Sequence, residues 1–140
     1  MSEFFDPGHP VQRLVFFVAQ DTDDSIRVAV GAFIESLAGL REWTIAPPSR
    51  IIDEDDASLV GGCVEIYSAR PPNVLPREVD LNHLEEVSTI VSSVERFSYE
   101  HMLAFEFELE GEFVGAVEDG KIDHSLREGL LGEWKRKLNA

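Results

Sequence analysis

"FEFELEGEFVGAVEDGKID", residues 105–123, is the stretch that decides the fold of this chain. Phe105, Phe107 and Leu109 alternate with Glu106, Glu108 and Glu110, the period-two pattern of a strand with one buried and one solvated face. Glu110-Gly111 follows as a turn in which glycine tolerates positive φ, and apolar character resumes at Phe113 and Val114. The reading is a hairpin, with strands over 102–109 and 112–118. The stretch 105–123 carries seven carboxylates against one lysine.

The hairpin needs partners, and the sequence supplies strands and helices by turns. Residues 11–19, "VQRLVFFVA", are rich in β-branched and aromatic side chains and read as a strand. The period then lengthens: behind the acidic cap "DTDD" (21–24), Ile26, Val30, Phe33, Leu37 and Leu40 form one apolar helical stripe ending near Gly39. "WTIA" (43–46) is a short strand stopped by Pro47-Pro48, and "GCVEIYSA" (62–69) a longer one stopped by Pro71-Pro72. The proline-rich residues 71–79 read as an extended connection.

Beyond Asp80, Leu84, Val87, Val91 and Val94 mark a second amphipathic helix running to about Arg96. "SLRE" (125–128) matches a capping box, with Ser125 capping and Glu128 reaching back, ahead of a third helix on Leu126, Leu130, Trp134 and Leu138. Gly129 and Gly132 weaken that helix by ~1 kcal/mol each relative to alanine. The predicted order is β-α-β-β-α-β-β-α, one α+β domain spanning residues 1–140, its mostly antiparallel sheet covered by helices on one face. The first six elements match the order of a split βαβ sandwich, although order alone leaves the strand neighbours open.

Charge narrows the function. The chain has 27 acidic and 12 basic residues, a formal net of −15, divided as −7 over residues 1–70 and −8 over residues 71–140. Such a field repels phosphate backbones and anionic lipid and attracts cationic surfaces, so nucleic acid and membrane are excluded as expected partners. The one basic run, Lys135-Arg136-Lys137, complements the end of a helix. Cys63 is the sole cysteine, so no intrachain disulfide or multi-cysteine zinc site can form. The N-terminal residues lack the pattern of a secretory signal, and no apolar run is long enough to span a bilayer; a cytoplasmic location is expected.

Catalytic signatures are missing. There is no nucleophile elbow, P-loop or dinucleotide fingerprint, and Cys63 falls within an apolar strand, where a buried structural cysteine is the expected role. "DTDD" reads as a helix cap. "DEDD" (53–56) departs from the calcium-loop pattern and reads as a solvated loop. Asp123-His124 beside Asp119 reads as a turn rather than a metal pair. No cofactor or metal is expected.

Glutamates two apart on a strand stand ~7 Å apart. In water each such pair repels by ~0.5 kcal/mol before screening. Solubility alone would accept lysine as readily, or mixed signs. The uniform sign favours a cationic partner.

The expected function is therefore a small non-enzymatic binding protein that docks on a basic protein surface. An inhibitor or immunity protein neutralising a toxin nuclease, or another nucleic-acid-binding enzyme, fits best. Its expected contact residues are Asp53, Glu54, Asp55, Asp56, Glu106, Glu108, Glu110 and Glu112. The alternatives are a homo-oligomeric structural domain, or an enzyme or small-ligand module with a pocket of non-local residues. For the last, Cys63, His101, Asp123 and His124 are the first suspects.

Overall fold

A computed structural model of the chain describes residues 10–51, 59–67 and 75–138. In chain order it contains β1 (Val11–Val18), α1 (Asp24–Ala38), β2 (Ser49–Arg50), β3 (Gly61–Tyr67), α2 (Arg77–His101), β4 (Ala104–Leu109), β5 (Glu112–Glu118) and β6 (Lys121–Ile122). A π-helical segment (Ser125–Gly132) and α3 (Glu133–Leu138) follow. The strands form one six-stranded sheet in the order β2-β3-β1-β4-β5-β6, and all neighbours are antiparallel. β3 lies between β2 and β1, and β1 between β3 and β4, so the first six elements do form a split βαβ sandwich. β5 and β6 extend it beyond β4 as a meander.

The alternation read in the sequence sets the two faces. Register aligns Leu14 with Val64 and Leu109, Phe16 with Phe107, and Val18 with Phe105. These residues, with Ile66 and Val117, form the sheet's side of the core. α1 contributes Val30, Ile34 and Leu37, and α2 contributes Val87, Ile90, Val91, Val94 and Phe97. Rings stack at the seams, with Phe33 over Phe97 at 4.4 Å and Phe16 beside Phe107 at 5.8 Å. α1 starts as expected: Asp23 is its N-cap and accepts the Ile26 N–H at 2.9 Å. Of the expected stripe, Val30 and Leu37 are buried and Ile26 and Phe33 pack against the core; Ile34 joins them, and Leu40 is 57% exposed.

Several boundaries differ from the sequence reading, each for a local reason. Residues 43–46 form no strand, because the Thr44 N–H is bonded to Glu86 Oε2 at 2.6 Å and the Trp43 indole to the Ala38 carbonyl at 3.0 Å. The edge strand β2 follows Pro47-Pro48 instead, pairing Ser49 with Cys63. β3 begins one residue earlier than expected, and residues 68 and 69, expected in that strand, lie outside the described ones. α2 begins at Arg77, directly after Pro76, inside the expected connection. It continues past Arg96 because Phe97 and Ser98 prolong the buried stripe. Met102 ends it in a left-handed conformation (φ 55°), so β4 starts at Ala104 rather than at residue 102.

The expected turn is present. Glu110 (φ 52°) and Gly111 (φ 80°) both have positive φ, as a two-residue type I′ hairpin requires. Asp119-Gly120 forms a second one and adds β6, a strand missing from the sequence reading. The C-terminal helix is capped by Asp123, whose Oδ1 accepts the Leu126 N–H at 2.8 Å. Ser125 is not the cap, and Glu128 faces Arg136 instead of reaching back. That helix opens as π, with Leu126 fully buried against β5. A Cβ at Gly115 would lie 2.5 Å from the Leu126 Cβ, so glycine there is what admits the helix.

Candidate partner-binding face of the sheet

The helices cover one face of the sheet, and among the described residues nothing packs on the other. Ladder register builds that open face row by row. One row runs Ser49, Cys63, Val15, Glu108, Phe113 across five strands, and the next Gly61, Phe17, Glu106, Ala116 across four. Arg13 stands opposite Glu65, and Glu118 opposite Ala104 and Lys121. Val15 and Phe17 are half-buried and Phe113 is 55% exposed. The face thus has an apolar centre crossed by carboxylates.

Glu106 and Glu108 lie on this face, as their alternation with Phe105 and Phe107 demanded. Both are half-buried, each opposite an apolar β1 side chain, and neither has a hydrogen-bond or ion-pair partner among the described residues. Glu110 belongs to the turn rather than to the strand face. Glu112 pairs with Leu109 and so takes a register position on the helix-covered side. Of the four hairpin glutamates expected as contact residues, two therefore share the open face, one lies in the turn and one takes a register position on the opposite side. Asp53, Glu54, Asp55 and Asp56 lie outside the described residues.

Two cations stand on the face, Lys121 opposite Glu118 and Arg13 opposite Glu65. For Arg13 the partner is a thiol. The Arg13 Nη2 donates to Cys63 Sγ at 3.3 Å. That contact foremost, with the nearby Glu65 and Glu110 carboxylates, holds the guanidinium above its ordinary pKa. Cys63 is buried, with the Ser49 hydroxyl 3.8 Å from its sulfur, but on this open side of the sheet rather than in the core beneath the helices.

The residues suspected of catalysis are not brought together. β3, which carries Cys63, is four inter-strand spacings from β6, which leads into Asp123 and His124, or about 19 Å. Asp123 is committed to its cap, His124 is exposed, and His101 is exposed at the end of α2 against the Phe97 ring. No group of three or more His, Cys, Asp or Glu side chains among the described residues is placed to hold a metal ion.

One polar cluster escaped the sequence reading. His83 and Glu86 on α2 are sealed from solvent, with His83 Nδ1 2.7 Å from Glu86 Oε1. His83 Nε2 accepts the Tyr67 N–H at 3.1 Å, which places the ring proton on Nδ1, donated to Glu86. Glu86 Oε2 accepts both the N–H and the hydroxyl of Thr44. Burial pushes the Glu86 carboxyl up, but the hydrogen bonds from His83 and Thr44 outweigh it and hold the pKa below the ordinary glutamate value. With these atoms committed, the cluster ties α2 to the loop before β2 and to the end of β3. The signal was present: His83 and Glu86 each lie four residues before a buried stripe position, Val87 and Ile90.

A cleft of about 340 Å³ opens between the sheet and the C-terminal helix, lined in part by Gln12, Ile66, Tyr67, Asp80, Leu130 and Trp134. Asp80 already accepts the Trp134 indole N–H at 2.6 Å, so two of its polar groups satisfy each other. Comparisons of the chain with protein-family models, with curated proteins and with solved structures find no match. No helix among the described residues is long and apolar enough to cross a membrane.

Proposed function

We propose that this chain is a non-catalytic cytoplasmic binding protein that docks on a basic protein surface through the open face of its sheet. A basic cleft of a nuclease or other nucleic-acid-binding enzyme has the complementary charge, so an inhibitor or immunity role is the natural one. The observation that carries the reading is the pair Glu106 and Glu108, half-buried, without partners among the described residues and flanked by Val15, Phe17 and Phe113. A cation brought to them gains an attraction that water screens incompletely, and the apolar centre beside them gains burial.

Size sets a condition. Four strands of about seven residues span ~23 by ~19 Å, or about 440 Å² in projection. Specific complexes bury about 800 Å² on each partner, so loops beside the face must take part. The expected contact run Asp53 to Asp56, in the chain between β2 and β3, is the proposed addition.

The test uses wild type and the double variant Glu106→Lys/Glu108→Lys, both shown to be folded by circular dichroism. A basic partner captured from the native host's lysate is assayed for its own activity and for binding kinetics across a salt series. Inhibition by wild type, with an association rate that the variant lowers steeply at low ionic strength and less at high salt, supports the reading. Equal kinetics for both chains removes this face as the site.

A further inference from the structure

We infer that the open face selects arginine over lysine, at the cross-strand pair Glu108 and Phe113; this rests on the docking reading above and names the partner's side-chain chemistry.

The register shifts between Phe107 and Glu108: Gly115 stands opposite Phe107, yet Phe113 stands opposite Glu108, leaving Val114 as an extra residue. Without the bulge, Val114 would face Glu108, and Phe113 would move to the register position of Leu109, on the helix-covered side. The bulge therefore gives up a ladder position to set a phenylalanine beside a carboxylate on the face left open. Val114 packs against the core instead, and Phe113 is 55% exposed. A device for solubility alone would place a polar side chain there.

An exposed ring and a carboxylate at ~5 Å between Cβ atoms make a site with two different walls. A guanidinium suits both, since it is planar, weakly hydrated, stacks on an aromatic face and donates in a fork to a carboxylate. An ammonium is a compact, strongly hydrated point charge that gains little from the ring. Glu106, two residues along the same strand, offers a second carboxylate ~7 Å away. The face already holds one guanidinium, that of Arg13 at Cys63 with Glu65 and Glu110 nearby. Among the described residues neither Glu106 nor Glu108 has an ion-pair partner, and Arg136, which lines a cleft together with Phe113, is paired with Glu128 and Glu133.

The test is a titration of the ¹⁵N-labelled chain with N-acetyl-arginine amide and, separately, N-acetyl-lysine amide, followed by amide chemical shifts. The arginine compound is expected to move the resonances of Glu106, Glu108 and Phe113, and the lysine compound to move them several-fold less. Phe113→Ala, which removes an exposed ring, should keep the remaining spectrum and weaken the arginine response about two- to fivefold. Phe113→Leu should behave like Phe113→Ala. Equal responses to the two amides, shifts confined to other parts of the chain, no shift at all, or a response untouched by Phe113→Ala each overturn the inference. Charge-dependent capture of a basic partner together with equal arginine and lysine responses overturns the selectivity alone. An arginine response without charge-dependent capture overturns the docking reading.

Discussion

His83 donates its Nδ1 proton to Glu86 Oε1 across 2.7 Å with both side chains sealed from solvent, and this buried pair joins α2 to two segments distant in sequence. A carboxylate in that position is held by its donors. Without Glu86, the sealed His83 Nδ1–H would have nothing to accept it, while the N–H and hydroxyl of the exposed Thr44 would turn to water and release the loop before β2. Glu86→Ala is expected to destabilise the fold by ~3 kcal/mol, read from urea unfolding. A change under 0.5 kcal/mol would show that water or a rearranged loop replaces the carboxylate.

The same carboxylate gives stability a pH dependence of definite sign. Its folded pKa lies below the ordinary value of 4.5, so the unfolded chain binds the proton first on acidification. The contribution is complete above that ordinary value and is lost as pH falls through the folded one. Unfolding free energy is expected to fall steeply below about pH 5, and the fall should be shallower in Glu86→Gln. Asp23, held low by the Ile26 N–H foremost and by Ser25, acts in the same direction.

Gly115→Val tests the seat of the C-terminal helix. Its φ of 153° and the 2.5 Å approach of a Cβ to Leu126 leave no room for a side chain. The variant is expected to lose ~2 kcal/mol or more, or to release the helix from β5. Hydrogen exchange over residues 125–138 separates the two outcomes, since release removes protection there while the sheet stays protected.

Cys63→Ala is expected to leave stability within about 1 kcal/mol of wild type and partner capture unchanged. The thiol accepts one hydrogen bond from Arg13, whose charge stays on the face beside Glu65 and Glu110. Loss of partner inhibition in a folded Cys63→Ala chain would point to chemistry at the thiol.

Legibility followed the strength of local period. The β4–β5 hairpin, α1 with its Asp23 cap, and the stripe Leu84, Val87, Val91 and Val94 were all readable, because each repeats a simple spacing over several residues. Asp119-Gly120 was equally readable as a hairpin turn, and reading it only as a turn before a helix hid β6. Thr44 marks the limit. Its short apolar neighbourhood resembles a strand, yet its backbone donor is claimed by Glu86, 42 residues away. No local pattern announces such a partner.

The sequence by itself determined β1, α1, β3, α2, the β4–β5 hairpin and the C-terminal helix in their order, the acidic field and the side of β4 on which Glu106 and Glu108 stand, since alternation and composition are properties of neighbours along the chain. Only the tertiary structure decided the rest. Strand order put Val15 and Phe17 of β1, and β2 after Pro47-Pro48, around those glutamates; a bulge set Phe113 opposite Glu108; and hairpin geometry put Glu110 in the turn, near Arg13, and Glu112 at a register position of the helix-covered side. These are pairings between segments up to about a hundred residues apart, chosen by which register buries the most apolar surface, and that quantity belongs to the assembled sheet rather than to any one stretch of sequence.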